Sequence, residues 1–134
     1  MSIRNDWVET VSAQEIFDHV VAHLRGQSQF CRAGGTAGCA YRLGDNACAV
    51  GALLTDEEAR TIVDGGYNTG VSVQGLEMRR LLPDRLVPHK WLLQDLQLVH
   101  DKYPERPLTF GAEAMLRQIA GGHGLTFPAE AQSA

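Results

Sequence analysis

Apolar residues recur at spacings of three and four in two long windows of this chain, and helix-starting and helix-stopping signals bracket them. In the first window Ile16, Phe17, Val20, Val21 and Leu24 follow Ser12-Ala-Gln-Glu15. That S-x-x-E pattern lets a hydroxyl and a carboxylate satisfy each other's backbone N–H groups at a helix start. Gly26 ends the run. In the second window Leu92, Leu93, Leu96, Val99 and Tyr103 follow Lys90, and Pro104 and Pro107 break it. Residues so spaced share one face of a helix. Shorter stretches repeat the pattern. Thr55-Asp-Glu-Glu58 is a second capping box, followed by Ala59, Ile62 and Val63 and closed by Gly65-Gly66. Ser72 caps a helix expected over roughly 73–82, with Leu76, Met78, Leu81 and Leu82 as apolar positions and Pro83 as its stop; Gly75 weakens it by about 1 kcal/mol relative to Ala. Pro88 marks another boundary. Thr109 caps a last helix carrying Met115, Leu116 and Ile119, closed by Gly121-Gly122.

The stretch Cys39–Leu54, CAYRLGDNACAVGALL, joins reactive side chains to a core-forming run. A glycine-rich loop over 28–38 leads into it. Cys39–Leu43 reads as a short strand and Gly44-Asp-Asn46 as its turn. A second short strand or a first helical turn begins near Ala47, and the small residues Ala47, Ala49, Gly51 and Ala52 suit close packing against another helix. The expected fold is mainly α, a compact bundle of about five helices with at most one small β-hairpin near residues 39–50. The expected organisation is a flexible lead-in over 1–11, with Trp7 and Val8 docking on the core, one globular domain over 12–127 and a disordered tail over 128–134.

The length, 134 residues, fits one domain. Net charge is −4 and the pI about 5.7, so nothing draws the whole chain to nucleic acid, whose binders carry a basic patch or domain. Arg79, Arg80 and Arg85 form a small basic cluster read as a solvated face. Direct nucleic-acid binding is not expected. The longest apolar run, Ala47–Leu54, is eight residues, against the roughly 20 needed to span a bilayer. The first ten residues lack the apolar core of a signal peptide, and three cysteines are an odd number for a disulfide scaffold. The expectation is a soluble cytoplasmic protein with reduced thiols and no membrane partner.

Cys48 is the candidate nucleophile. If a helix starts at or just before it, the positive end of the dipole favours thiolate, His100 or His89 can act as base, and Asp45 or Asp101 can orient that base. The alternative is a small buried core residue, the common fate of a thiol on an apolar segment. His100 and Asp101, adjacent on a helix, point about 100° apart and form no dyad with each other. Cys31, Cys39 and Cys48 are separated by seven and eight residues; structural zinc sites bring at least one close pair. A Cys₃His site completed by His100 or His123 is weakly supported, and no metal or cofactor is expected. No G-x-x-x-x-G-K-[ST] and no G-x-G-x-x-G after a strand is present.

Several blocks together resemble a family of small proteins from bacteriophages and prophage-bearing bacteria: the Ala13–Leu24 helix with its A-x-E-I-F start, Cys39-x-Tyr41-Arg42, Cys48-Ala-Val-Gly-x-Leu-Leu54, Leu96-Gln97-x-x-His100-Asp101, Ile119-Ala120 and Gly124-Leu125. The Cys-x-Tyr-Arg and Cys-Ala-Val-Gly blocks are the specific part. The family has no established activity, so the resemblance implies an origin and assigns no site. Small phage accessory proteins act by binding host proteins, including defence components such as CRISPR effector complexes. The leading expectation is an interaction protein of this kind in a bacterial host cell, with Cys39, Tyr41, Arg42, Asp45, His100 and Asp101 as its motif surface. A thiol-dependent, hydrolase-like enzyme using Cys48, His100 and Asp45 is the alternative, and a small metal-binding module the third.

Overall fold

The computed structural model describes residues 11–26, 41–43, 46–68, 71–102 and 110–127. Five α-helices make up most of this: α1 (Ala13–Gly26), α2 (Asp56–Asp64), α3 (Val73–Met78), α4 (Lys90–Lys102) and α5 (Phe110–Gly122). Between α1 and α2 run two two-residue strands, β1 (Arg42–Leu43) and β2 (Asn46–Ala47), antiparallel with Arg42 opposite Ala47. Short 3₁₀ turns occupy Gly51–Leu53 and Val87–His89.

Both capping boxes form. The Ser12 hydroxyl accepts from the Glu15 N–H at 3.1 Å while the Glu15 carboxylate accepts from the Ser12 N–H at 2.9 Å. Thr55 and Glu58 repeat the exchange at 3.1 and 2.9 Å. Each satisfies two donors that a helix start otherwise leaves orphaned.

Two helix ends differ from the sequence expectation. α3 stops at Met78 rather than near 82. The chain leaves it through a Schellman turn, with the Leu81 N–H on the Leu76 carbonyl at 2.9 Å and the Arg80 N–H on that of Glu77 at 3.0 Å. Arg80 therefore takes a left-handed conformation, φ 59°. α5 closes at Gly122, within the expected glycine pair, but the left-handed residue that stops it is further on, Gly124, φ 70°.

The core is one cluster. Ile16, Phe17, Val20 and Leu24 of α1 meet Leu92, Leu93, Leu96 and Val99 of α4, Leu116 and Ile119 of α5, Ile62 of α2 and Leu76 of α3. Val11 joins it, its carbonyl accepting from His89 Nε2 at 2.9 Å, so the packed region already includes residue 11. Arg25 grips Glu113 through a fork, at 2.6 and 2.9 Å, tying α1 to α5. Past α5, the Gln14 amide pairs with both backbone groups of Thr126, and the Phe127 ring lies 6.3 Å from that of Phe17.

Three residues sit elsewhere than their sequence pattern suggested. Val63 and Met78 are exposed rather than core. Arg85, grouped above with a solvated basic face, is buried against Glu58, because the carboxylate fixed by the Thr55 box gives a guanidinium a partner inside the fold. Trp7, Val8, Tyr103, Thr109 and the tail from 128 lie outside the described residues.

Leu96 is fully buried where α4 faces the centre. Leu96→Ala should lower unfolding free energy by about 2–5 kcal/mol in urea titration; a loss under ~1 kcal/mol, the size of a surface change, would mean α4 packs by another face.

Candidate functional site

Residues 47–54 are buried at every position, yet past Ala47, the last residue of β2, a single 3₁₀ turn is the regular structure they contain. Buried peptide groups outside a helix or sheet need partners from elsewhere, and here side chains supply them. His23 Nε2 donates to the Ala47 carbonyl at 2.8 Å and His19 Nε2 to that of Ala52 at 3.1 Å; a carbonyl only accepts, so Nε2 carries the hydrogen in both rings. Arg42 donates to the Gly51 and Leu54 carbonyls at 3.0 and 2.6 Å and to Asp56 Oδ1 at 2.9 Å. Arg85 donates to the Leu53 carbonyl at 2.9 Å and through both terminal nitrogens to Glu58 at 2.7 Å. Gln97 Oε1, from α4, accepts from the Val50 N–H at 3.2 Å.

The motif residues are part of this scaffold. The Tyr41 carbonyl accepts from the Cys48 N–H at 3.3 Å, and its hydroxyl donates to the Val71 carbonyl. The Arg42 backbone is clasped by Asn68, whose Oδ1 accepts from the Arg42 N–H at 3.1 Å and whose Nδ2 donates to its carbonyl at 2.8 Å. Gly51 abuts Tyr41 so closely that a Cβ there would stand 1.8 Å from the Tyr41 oxygen. Gly51 thus serves approach to the Tyr41 backbone, while the 3₁₀ turn Gly51–Leu53 packs against α1, the close helix contact expected of this small-residue run.

Cys48 is 0% exposed, within the core cluster, and its Sγ accepts from the Gly51 N–H at 3.3 Å. Cys31, Cys39 and Asp45 lie outside the described residues, as do the side chains of His100 and Asp101, whose backbone closes α4. His89 is engaged by Val11, and His123 Nε2 lies 2.8 Å from Asp95 Oδ2. Among the described residues no three His, Cys, Asp or Glu side chains cluster as metal ligands would, and no helix is long and apolar enough to cross a membrane.

The outer surface is the other candidate. Trp91 is 58% exposed and Leu98 50%. They stand seven residues apart on α4, hence on one face and about 10 Å apart along the axis. Met78 at the end of α3 is 82% exposed and Phe110 at the start of α5 90%. Trp91 and Leu98 are legible as apolar residues lying off the Leu92/Leu93/Leu96/Val99 face, which is the signal that sequence reading passed over. No protein-family model matches the chain, and no curated protein or solved structure matches it.

Two outcomes follow from the buried segment. Cys48 should react slowly with an alkylating reagent in the native protein and fast after unfolding, followed by mass spectrometry with Cys31 and Cys39 as internal references; rapid native labelling of Cys48 alone, lost in His100→Ala, would establish an activated thiol. The second concerns acid stability. Burial raises the Glu58 pKa, but hydrogen bonds from Arg85 and Thr55 and the Arg85 charge outweigh it, and the carboxyl titrates below its ordinary 4.5. A lowered folded pKa gives stability that is present above the unfolded value and lost as pH falls through the folded one. Glu58→Gln should therefore flatten the loss of thermal stability below pH 4.5. Asp56 is shifted downwards too, by the Arg42 hydrogen bond and charge, but it is fully exposed and solvent screens its share. An unchanged acid limb in Glu58→Gln would rule the Arg85 pair out as its source.

Proposed function

We propose that the chain is an accessory protein of phage or prophage type that acts in the bacterial cytoplasm by binding a host protein, with a defence component such as a CRISPR effector complex as the leading class of target. The observation that carries the binding part is the set of large apolar side chains, Met78, Trp91, Leu98 and Phe110, held outside the core on helix faces turned to solvent. Trp and Met are enriched in protein interfaces, and a rigid helix presents them without ordering cost. The phage origin rests on the sequence blocks alone. The scaffold role of Tyr41, Arg42 and Cys48 supports looking for the partner on the outer helices rather than at the motif.

One observation favours the thiol-enzyme reading: the Gly51 N–H at Cys48 Sγ stabilises negative charge on sulfur. It is the weaker reading, because catalysis would require a fully buried sulfur to reach a substrate.

The test is a pull-down from bacterial lysate with the tagged full chain, and identification of what is retained. One host protein should be retained in near-stoichiometric amount and lost with the Trp91→Ala/Leu98→Ala double variant. Expression of the chain in cells with an active CRISPR system should restore plaques of a targeted phage at least tenfold. Retention of nothing beyond a tag-only control would overturn the binding reading; binding without plaque rescue would overturn the CRISPR target.

A further inference from the structure

Three helices of this fold end in the same turn. After α2 and α5 the left-handed position is glycine: Gly66, φ 86°, donates to the Val63 carbonyl at 3.1 Å and Tyr67 to that of Ile62 at 3.0 Å, and Gly124, φ 70°, donates to the Gly121 carbonyl at 3.3 Å and Leu125 to that of Ala120 at 2.8 Å. After α3 the pattern is repeated, but the left-handed residue is Arg80. Glycine is the ordinary occupant because a Cβ crowds the backbone there. The Arg80 side chain is exposed, and no hydrogen bond or ion pair within the described residues engages it. Its neighbour Arg79 contrasts with it, lying 5.0 Å over the Tyr67 ring and donating to the Gly75 carbonyl at 3.1 Å. A strained residue with no return inside the fold points outward for its purpose.

The surroundings say what that purpose fits. Glu77, whose carbonyl accepts from the Arg80 N–H, holds Lys90 Nζ at 3.2 Å, and Lys90 Nζ stands 5.5 Å from the Trp91 ring centre. This chain of contacts joins the end of α3 to the start of α4. Met78 and Trp91 flank it as exposed apolar groups, and Arg80 adds a guanidinium. Arg, Trp and Met are the residue types concentrated at interface centres, and a planar guanidinium pairs best with a carboxylate.

We propose that Met78, Arg80 and Trp91 form a docking surface for an acidic protein segment, in which an Asp or Glu side chain engages Arg80 while an adjacent bulky apolar residue covers Met78 and Trp91. The inference rests on the binding reading above and adds where the partner docks and what chemistry it carries.

The full chain is panned against a library of random dodecapeptides, and fluorescein-labelled winners are titrated by anisotropy. Enriched peptides should place Asp or Glu beside Trp, Phe or Leu. Arg80→Gly should weaken binding at least tenfold while the melting temperature holds or rises, since glycine relieves the turn; a merely structural arginine would not separate the two readouts. Met78→Ala and Trp91→Ala should weaken binding similarly, and the affinity should fall with salt. Peptides without acidic residues, peptides indifferent to all three variants, or no enrichment would overturn the docking surface. So would a dimer in sedimentation that Trp91→Ala dissociates, because a second copy would then be the occupant. A host protein retained in the pull-down but indifferent to the three variants would sink this surface alone and leave the binding reading standing.

Discussion

An irregular backbone segment can lie at the centre of a small domain only if its peptide groups are answered by hydrogen bonds. Leaving one buried group unanswered costs about 1–3 kcal/mol, and several would consume the stability of a domain this size. Residues 47–54 meet that condition through pins from four directions: His19 and His23 on α1, Arg42 on β1, Arg85 before α4 and Gln97 on α4. Of the helices, α1 and α4 are thus oriented by more than apolar contact. Each must present a particular polar side chain to a particular carbonyl or N–H, which fixes rotation and height as hydrophobic packing alone does not.

The helical part of this arrangement was legible in the chain. Ser12/Glu15 and Thr55/Glu58 announce their boxes, and the spacing of Ile16–Leu24 and Leu92–Val99 places the right faces inward. These are local signals, readable within a turn or two. The pins were not legible. A histidine that donates to a carbonyl 24 residues away has no local signature, and Arg85 looked like its neighbours Arg79 and Arg80 until the fold placed it against Glu58. The early end of α3 escaped for a related reason. The Schellman turn is usually announced by glycine, and here arginine holds its place. Of the candidate site, Cys48 was legible as an apolar-segment thiol, whereas the solvent-facing Trp91 and Leu98 were hidden by attention to the inward face.

The two most distinctive blocks, Cys-x-Tyr-Arg and Cys-Ala-Val-Gly, describe a single structural joint. Gly51 lies against the Tyr41 carbonyl, Cys48 donates to that carbonyl, and Arg42 reaches over to Gly51 and Leu54. Side chains that hold such a joint have little freedom to vary or to do chemistry. Function is then free to reside on faces whose residues the joint does not constrain, the exposed flanks of α3 and α4 among them.

The same joint has a consequence for how the protein is made. Its partners are distant along the chain: 24 residues from His23 to Ala47, 32 from Leu53 to Arg85 and 47 from Val50 to Gln97. Closing such loops is repaid only when the contacts at their ends form. A nascent chain that has emerged only as far as α2 holds the 47–54 segment with the Val50 N–H and the Leu53 carbonyl still unanswered by their native partners, so the segment gains by staying hydrated. Gln97 is the last pin to leave the ribosome, and its emergence marks the point in translation from which the buried segment can close.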